Sequence, residues 1–162
     1  MTSGLPPPGP VCARRAGGKV GTSGAGLSEL ALTHSERELL GDVVESVDSG
    51  GLGLRARRPQ PGVLVVEVSG DVDLATATSL EAFLKRSVAA APTRALVVDL
   101  SAVSFIGSHG LSVLLAWREG GSVDGAALFL AGLEANKRVS RVLEVSGLAA
   151  LFETCDVSGY GR

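Results

Sequence analysis

Ala95-Leu96-Val97-Val98-Asp99-Leu100, followed closely by Ser104-Phe105-Ile106-Gly107-Ser108-His109-Gly110-Leu111, is the stretch on which the fold turns. Its first part is an almost unbroken apolar run, the pattern of a strand buried on both faces of a sheet. Its second part is a polar junction bearing two glycines. Beyond it Leu111, Leu114, Leu115 and Trp117 recur at helical spacing until Gly120-Gly121 ends the helix. A buried strand that runs into an amphipathic helix is one unit of a parallel sheet with crossover helices.

The same alternation extends in both directions. Upstream, Leu80, Phe83, Leu84 and Val88 form the apolar stripe of another helix, which Pro92-Thr93 breaks. Before that helix, Gly70-Asp71-Val72-Asp73 reads as a loop and Val63 to Ser69 as a β-branched strand. The alternating residues Leu52 to Arg57 and the turn Pro59-Gln60-Pro61-Gly62 complete a hairpin with that strand. Downstream, Ala126 to Leu130 reads as a buried strand. Val139, Val142 and Leu143 mark one face of a third helix closed by Gly147, and Leu148 to Phe152 reads as a short strand or helical turn. The expected fold class is α/β: a small domain over residues 52–155, with a mostly parallel sheet of four to five strands. Helices should cover mainly one face, and an N-terminal antiparallel hairpin should form one edge.

The flanks have another character. Residues 1–53 hold 11 of the 22 glycines and four of the seven prolines. Residues 1–32 have too few large apolar side chains to offset the entropy of ordering, so a disordered tail is expected there. Gly17 to Gly26 does not make a phosphate loop, because Val20 follows Lys19 where Ser or Thr is required. Residues 33–50 read as a short amphipathic helix and linker. Ser35 and Glu38 form a capping box, with Leu39, Leu40, Val43, Val44 and Val47 at helical spacing. Residues 156–162 read as a loose C-terminal tail that starts near Cys155.

Charge and composition exclude several classes. Residues 54–162 carry 11 basic and 11 acidic side chains. A neutral domain is poorly suited to nucleic acid, whose binding rests on phosphate neutralisation. No apolar stretch is long enough for a membrane span, and the glycine- and proline-filled N-terminus has no apolar signal core. Cys12 and Cys155 are too few and too far apart for a disulfide framework or a metal site. The expectation is a cytoplasmic protein without metal or cofactor.

Chemistry can be sought at the strand-to-helix junction. The pattern places Ser108 at the N-cap of the second helix, where its hydroxyl would accept from the next turn's N–H groups. A second reading of the same position is a phosphoacceptor, since a phosphoryl group there would lie over a helix N-terminus. Gly107 and Gly110 would let another protein's backbone approach. A Gly-x-Ser-x-Gly hydrolase is disfavoured: Ile106 stands where the first glycine belongs, and His109 is adjacent instead of distant. His109 taken alone reads as a solvated residue, and Asp71 and Asp73 as capping groups at a helix start. The chain is therefore not expected to be an enzyme.

Three blocks together carry a family resemblance. Val65-Val66-Glu67-Val68-Ser69-Gly70-Asp71-Val72-Asp73 is similar to the opening strand and Gly-x-x-Asp loop of STAS domains, specifically the anti-sigma factor antagonists. Val98 to Ile106 with Gly107-Ser108-His109-Gly110-Leu111 resembles their phosphorylation loop. Arg138-Val139-Ser140-Arg141-Val142-Leu143-Glu144-Val145-Ser146-Gly147-Leu148 resembles their last long helix. The resemblance implies partner switching: the unphosphorylated antagonist binds an anti-sigma serine kinase of the GHKL ATPase type and so releases a sigma factor. Phosphorylation of the loop serine ends the interaction. That serine falls on Ser108, with Asp73, Gly107, His109 and Gly110 as expected partner-binding residues and with room for a phosphatase that acts on the loop serine. Gly107 stands where the family loop has aspartate, and His109 where it has a second serine. The competing expectation is a STAS module without phosphorylation, binding a nucleotide or lipid or serving as a signalling scaffold.

Overall fold

The computed structural model describes residues 43–120 and 125–157. Among them lie six strands: β1 (Val43–Ser49), β2 (Leu52–Gln60), β3 (Gly62–Val72), β4 (Thr93–Ile106), β5 (Ala127–Ala131) and β6 (Glu153–Thr154). Three α-helices are interleaved: α1 (Leu74–Ala89), α2 (Ser108–Gly120) and α3 (Lys137–Val145). The strands form one sheet in the order β1-β2-β3-β4-β5-β6. β1, β2 and β3 pair antiparallel, and every pairing from β3 to β6 is parallel. This is the α/β arrangement expected from the alternation of buried strands and amphipathic helices.

Local chemistry accounts for the element boundaries. Gly50 and Gly51 connect β1 to β2 with φ of 59° and 89°, the positive values that a tight type I′ hairpin turn needs at both central positions. α1 starts where Asp73 accepts from Ala75 N (2.9 Å) and Thr76 N (3.1 Å), while Thr76 Oγ1 accepts from Asp73 N (3.0 Å). This reciprocal capping box satisfies donors that the helix itself leaves open. α1 ends against Arg58, whose guanidinium donates to Ser87 O (2.7 Å) and to Thr93 Oγ1 (3.0 Å). A buried cation at a helix C-terminus also opposes the negative end of the helix dipole.

The main core lies between the sheet and all three helices. Leu64, Val66 and Val68 of β3 and Leu96, Val98 and Leu100 of β4 meet Leu80, Phe83 and Leu84 of α1, Leu111 and Leu114 of α2, and Val139 and Leu143 of α3. The alternate residues point to the opposite face, which no described helix covers, and there Val63, Val65, Ala95, Val97, Phe129 and Ala131 cluster with Val157. β4 is thus buried on both sides from Ala95 to Leu100, as its apolar run implies.

Four expectations change. The helix expected over Ser35–Val47 is strand where it is described: Val43–Ser49 pairs with β2, and Val47 packs on the main core. Valine suits an extended edge strand as well as a helix face, and pairing with β2 decides between them. Residues 35–42 lie outside the described residues, as do 1–34. The loop expected over Gly70-Asp71-Val72-Asp73 is the continuation of β3 as far as Val72. The tail expected from Cys155 onward is packed in its described part: Cys155 N donates to Leu130 O (2.9 Å), and Val157 is buried. Finally, the described strands number six, because β1 and the two-residue β6 join the sheet.

Candidate functional site

The site lies at the carboxyl end of the sheet, where β3 and β4 stop together. Asp71 pairs with Phe105 and Val72 with Ile106, so α1 and α2 both begin at that edge. Gly107 N donates to Val72 O (2.8 Å) and ties the two ends to each other. The β1–β2 turn joins the same edge through Asp71 N to Gly51 O (3.3 Å).

Ser108 is not the N-cap of α2. Gly107 O accepts from Leu111 N (3.1 Å), the first bond of the helix, which makes Gly107 the cap and Ser108 the first helical residue. The difference has a chemical consequence. A capping serine spends its hydroxyl on backbone donors, whereas the Ser108 hydroxyl is exposed and has no hydrogen-bond partner among the described residues. Ser108 contributes to the helix through its carbonyl, which accepts from Ser112 Oγ (2.9 Å). His109, next in the first turn, is also exposed.

The remaining expected site residues divide. Asp73 holds the α1 capping box, so its carboxylate has a structural task whatever else it meets. Gly107 is half-buried beneath the Phe105 ring: a Cβ there would lie 3.2 Å from the ring edge. Gly110 is buried and faces inward, where a Cβ would meet Val72 Cγ1 at 2.6 Å. Its role is close packing of α2 on the strand ends, not room for an incoming backbone. Two residues that pattern reading passed over are prominent here. Leu74, first residue of α1, is 69% exposed, and Phe105, beside Ser104 near the end of β4, is 54% exposed. Apolarity alone could not have singled them out, since exposure depends on where the strand ends.

The sheet face opposite the described helices carries an open cleft at its polar end, lined in part by Ser46, Asp48, Arg55, Glu67, Ser69 and Asp99. Glu67 bridges two arginines there, Arg57 Nε at 3.3 Å and Arg55 Nε at 3.9 Å. Among the described residues no group of three or more His, Cys, Asp or Glu side chains comes together as a metal site. No described helix is long and apolar enough to cross a membrane.

Comparison with known proteins gives this geometry a context. The sequence model of the STAS domain matches residues 56–159. A segment of 58 residues is 52% identical to the anti-sigma-F factor antagonist RsfB of Mycobacterium tuberculosis, covering 36% of this chain and 47% of that protein. The match thus spans about half the length of that curated relative. The crystal structure of an anti-sigma factor antagonist from Mycobacterium paratuberculosis superposes with a TM-score of 0.52 at 34% identity, over 68% of this chain and 90% of that one. The anti-sigma factor antagonist SpoIIAA in its unphosphorylated form shares the fold at 16% identity, with a TM-score of 0.52 over 64% of this chain and 86% of that one. A domain-wide sequence match and a relative aligned over nine-tenths of its length lead to one assignment: the chain belongs to the STAS-domain family of anti-sigma factor antagonists.

Proposed function

We propose that this protein is a cytoplasmic regulatory binding protein, a substrate and not an enzyme. It binds an anti-sigma factor that is a serine kinase of the GHKL type and thereby releases a sigma factor; phosphorylation of Ser108 ends the complex, and a phosphatase restores it. The observation that carries the reading is the Ser108 hydroxyl, exposed and with no hydrogen-bond partner among the described residues, on the first turn of α2; Phe105 and Leu74, at the ends of the neighbouring elements, are exposed as well. Phe105 and Leu74 are the apolar anchors of the proposed contact, and Gly107 and His109 contribute its polar part.

The proposed switch needs no rearrangement of the fold. A phosphoserine adds roughly −1.5 to −2 charges. At the first turn of α2 that charge is compatible with the free domain, because helix N–H groups and the dipole favour anions there. Within a contact anchored by apolar side chains the same charge must be desolvated, at a cost of about 2–5 kcal/mol. Each 1.4 kcal/mol or so is a tenfold loss of affinity, so one phosphoryl group dissolves a micromolar complex. Gly107, in place of the family's aspartate, removes a carboxylate that would repel the incoming phosphate.

The test is incubation of the purified protein with the cognate anti-sigma kinase and ATP, followed by mass spectrometry and a binding assay. The expected result is one phosphoryl group on Ser108, with binding lost on modification. Phe105→Ala and Leu74→Ala should each weaken binding about tenfold or more, as truncation of an interface anchor does, without lowering stability. Binding that survives full phosphorylation of Ser108 would refute the proposal.

A further inference from the structure

α3 carries its charges against its own dipole. Lys137 and Arg138 open the helix, Arg141 follows one turn on, and Glu144 lies in the last turn. The amino end of a helix dipole is positive and its carboxyl end negative, so each end disfavours the side chains placed there. Nothing nearby compensates: the three cations are exposed, and no ion pair between described residues involves α3. A local rule broken without local compensation is expected where function asks for it. Val139 and Leu143 bury the inner face of the helix. On the outer face Arg138, Arg141, Val142 and Val145 stand at i, i+3, i+4 and i+7, a single stripe. Val145 is 74% exposed, which sets a large apolar side chain in line with the cations.

We propose that the outer face of α3 is a second docking surface, occupied by an acidic segment of the anti-sigma partner. The inference rests on the reading of the Ser108 edge as the partner contact and widens that contact toward α3. Position supports it. Asn136, the cap of α3, donates to Leu100 O and Val103 O at 2.8 Å each, which fixes the first turn against β4. Val103 lies only three residues, about 10 Å, before the end of that strand at Ile106, and Ser108 follows directly. Charge selects the occupant. Residues 54–162 are balanced, with 11 basic and 11 acidic side chains, so three exposed cations within five residues are a local feature that an acidic surface complements. Nucleic acid would draw on a wider basic surface than this, whereas Val142 and Val145 beside the cations suit a protein segment with an apolar residue of its own. Charges of this kind act mainly on the rate of encounter and are screened by salt.

The test is stopped-flow association of the full chain with the cognate anti-sigma kinase at rising salt, beside thermal melting of each variant. In the triple variant Lys137→Glu, Arg138→Glu and Arg141→Glu the association rate should fall about tenfold or more at low salt and lose most of its salt dependence. Its melting temperature should be no lower than that of wild type, because acids in the first turn suit the helix dipole. Arg138→Gln with Arg141→Gln, which introduces no new charge, should show a smaller fall of the same kind. Lys85→Glu, an exposed change on α1, should leave the rate unaltered. A folded triple variant that associates as fast as wild type would overturn the inference and leave the Ser108 contact standing. A wild-type chain that does not bind the kinase at any salt would overturn that contact, and this surface with it. Retention of duplex DNA through the same three residues, with kinase association unchanged in their variants, would assign the cations to nucleic acid and also overturn the proposal.

Discussion

A Cβ placed on Gly110 would lie 2.6 Å from Val72 Cγ1 and 2.9 Å from Ile106 Cγ1. The first turn of α2 therefore rests directly on the ends of β3 and β4. That contact sets the height at which Ser108 stands above the sheet. Inward Gly110 and outward Ser108 are two aspects of one packing arrangement.

Gly110→Ala should destabilise the domain. Helix propensity favours alanine by up to about 1 kcal/mol. The added methyl, however, meets two buried β-branched side chains that cannot turn away, and overpacking of this kind costs about 1–3 kcal/mol. The expected net loss is about 1–2 kcal/mol, read from urea denaturation. A variant as stable as wild type would mean that α2 can lift from Val72.

Substitutions at Ser108 should separate stability from binding. Because Gly107 occupies the cap, Ser108→Ala removes no capping bond and should leave the melting temperature within the range of surface changes, about ±0.5 kcal/mol. Ser108→Asp places a carboxylate in the first turn, worth about 0.3–1 kcal/mol of stabilisation. If the proposed switch operates, the same variant should bind the anti-sigma kinase more weakly while Ser108→Ala binds normally. A loss near 1 kcal/mol in Ser108→Ala would instead indicate a capping hydroxyl.

Arg58→Met keeps the buried stem but removes the donors to Ser87 O and Thr93 Oγ1. Hydrogen bonds from a charged group contribute about 1.5–3 kcal/mol, so a fall of about 6–15 °C in melting temperature is expected for a domain of this size. Arg58→Lys should recover only part of it, since an ammonium cannot reproduce the forked geometry of the guanidinium. Equal melting of Arg58→Met and wild type would show that water replaces the lost bonds.

Asn136 joins α3 to β4. Its Nδ2 donates to Leu100 O and Val103 O, both at 2.8 Å, and its Oδ1 accepts from Val139 N at 3.3 Å. Asn136→Ala leaves two strand carbonyls without this donor and removes the α3 cap, for an expected loss of about 2–4 kcal/mol by denaturant titration. Asn136→Asp should be no better at neutral pH, because an acceptor-only carboxylate would face two carbonyl oxygens. A stable Asn136→Asp protein would contradict that geometry.

Leu96, Val98 and Leu100 on one side and Ala95 and Val97 on the other could be assigned to a doubly buried strand from their run alone, because that placement removes five apolar residues within a run of six from water. The stripes Leu80-Phe83-Leu84-Val88 and Val139-Leu143 identified helices for a similar reason, and Ser108 was found through its strand-to-helix context. Leu39, Leu40, Val43, Val44 and Val47 fit a helical period equally well, yet Val43–Ser49 is strand. A period read within a window does not register that β2 offers an unsatisfied ladder of N–H and C=O groups to pair with. Asp73 was correctly read as a cap from its place just before a helical stripe, whereas Asp71, read in the same way, lies within β3.

Local sequence was sufficient wherever the determining interaction is local or is simple removal from water. The alternation of strands and helices from β2 onward and the cap at Asp73 belong here. Tertiary structure decided the rest. β3 and β4 extend to Val72 and Ile106 because each completes the other's hydrogen bonds. That extension moves the helix cap from Ser108 to Gly107 and releases the serine hydroxyl; it also leaves Phe105 and Leu74 in solvent. Gly110 turns inward because Val72, 38 positions earlier in the chain, occupies the space its side chain would need. These outcomes depend on contacts between segments far apart in sequence, and such contacts exist only once the sheet has formed.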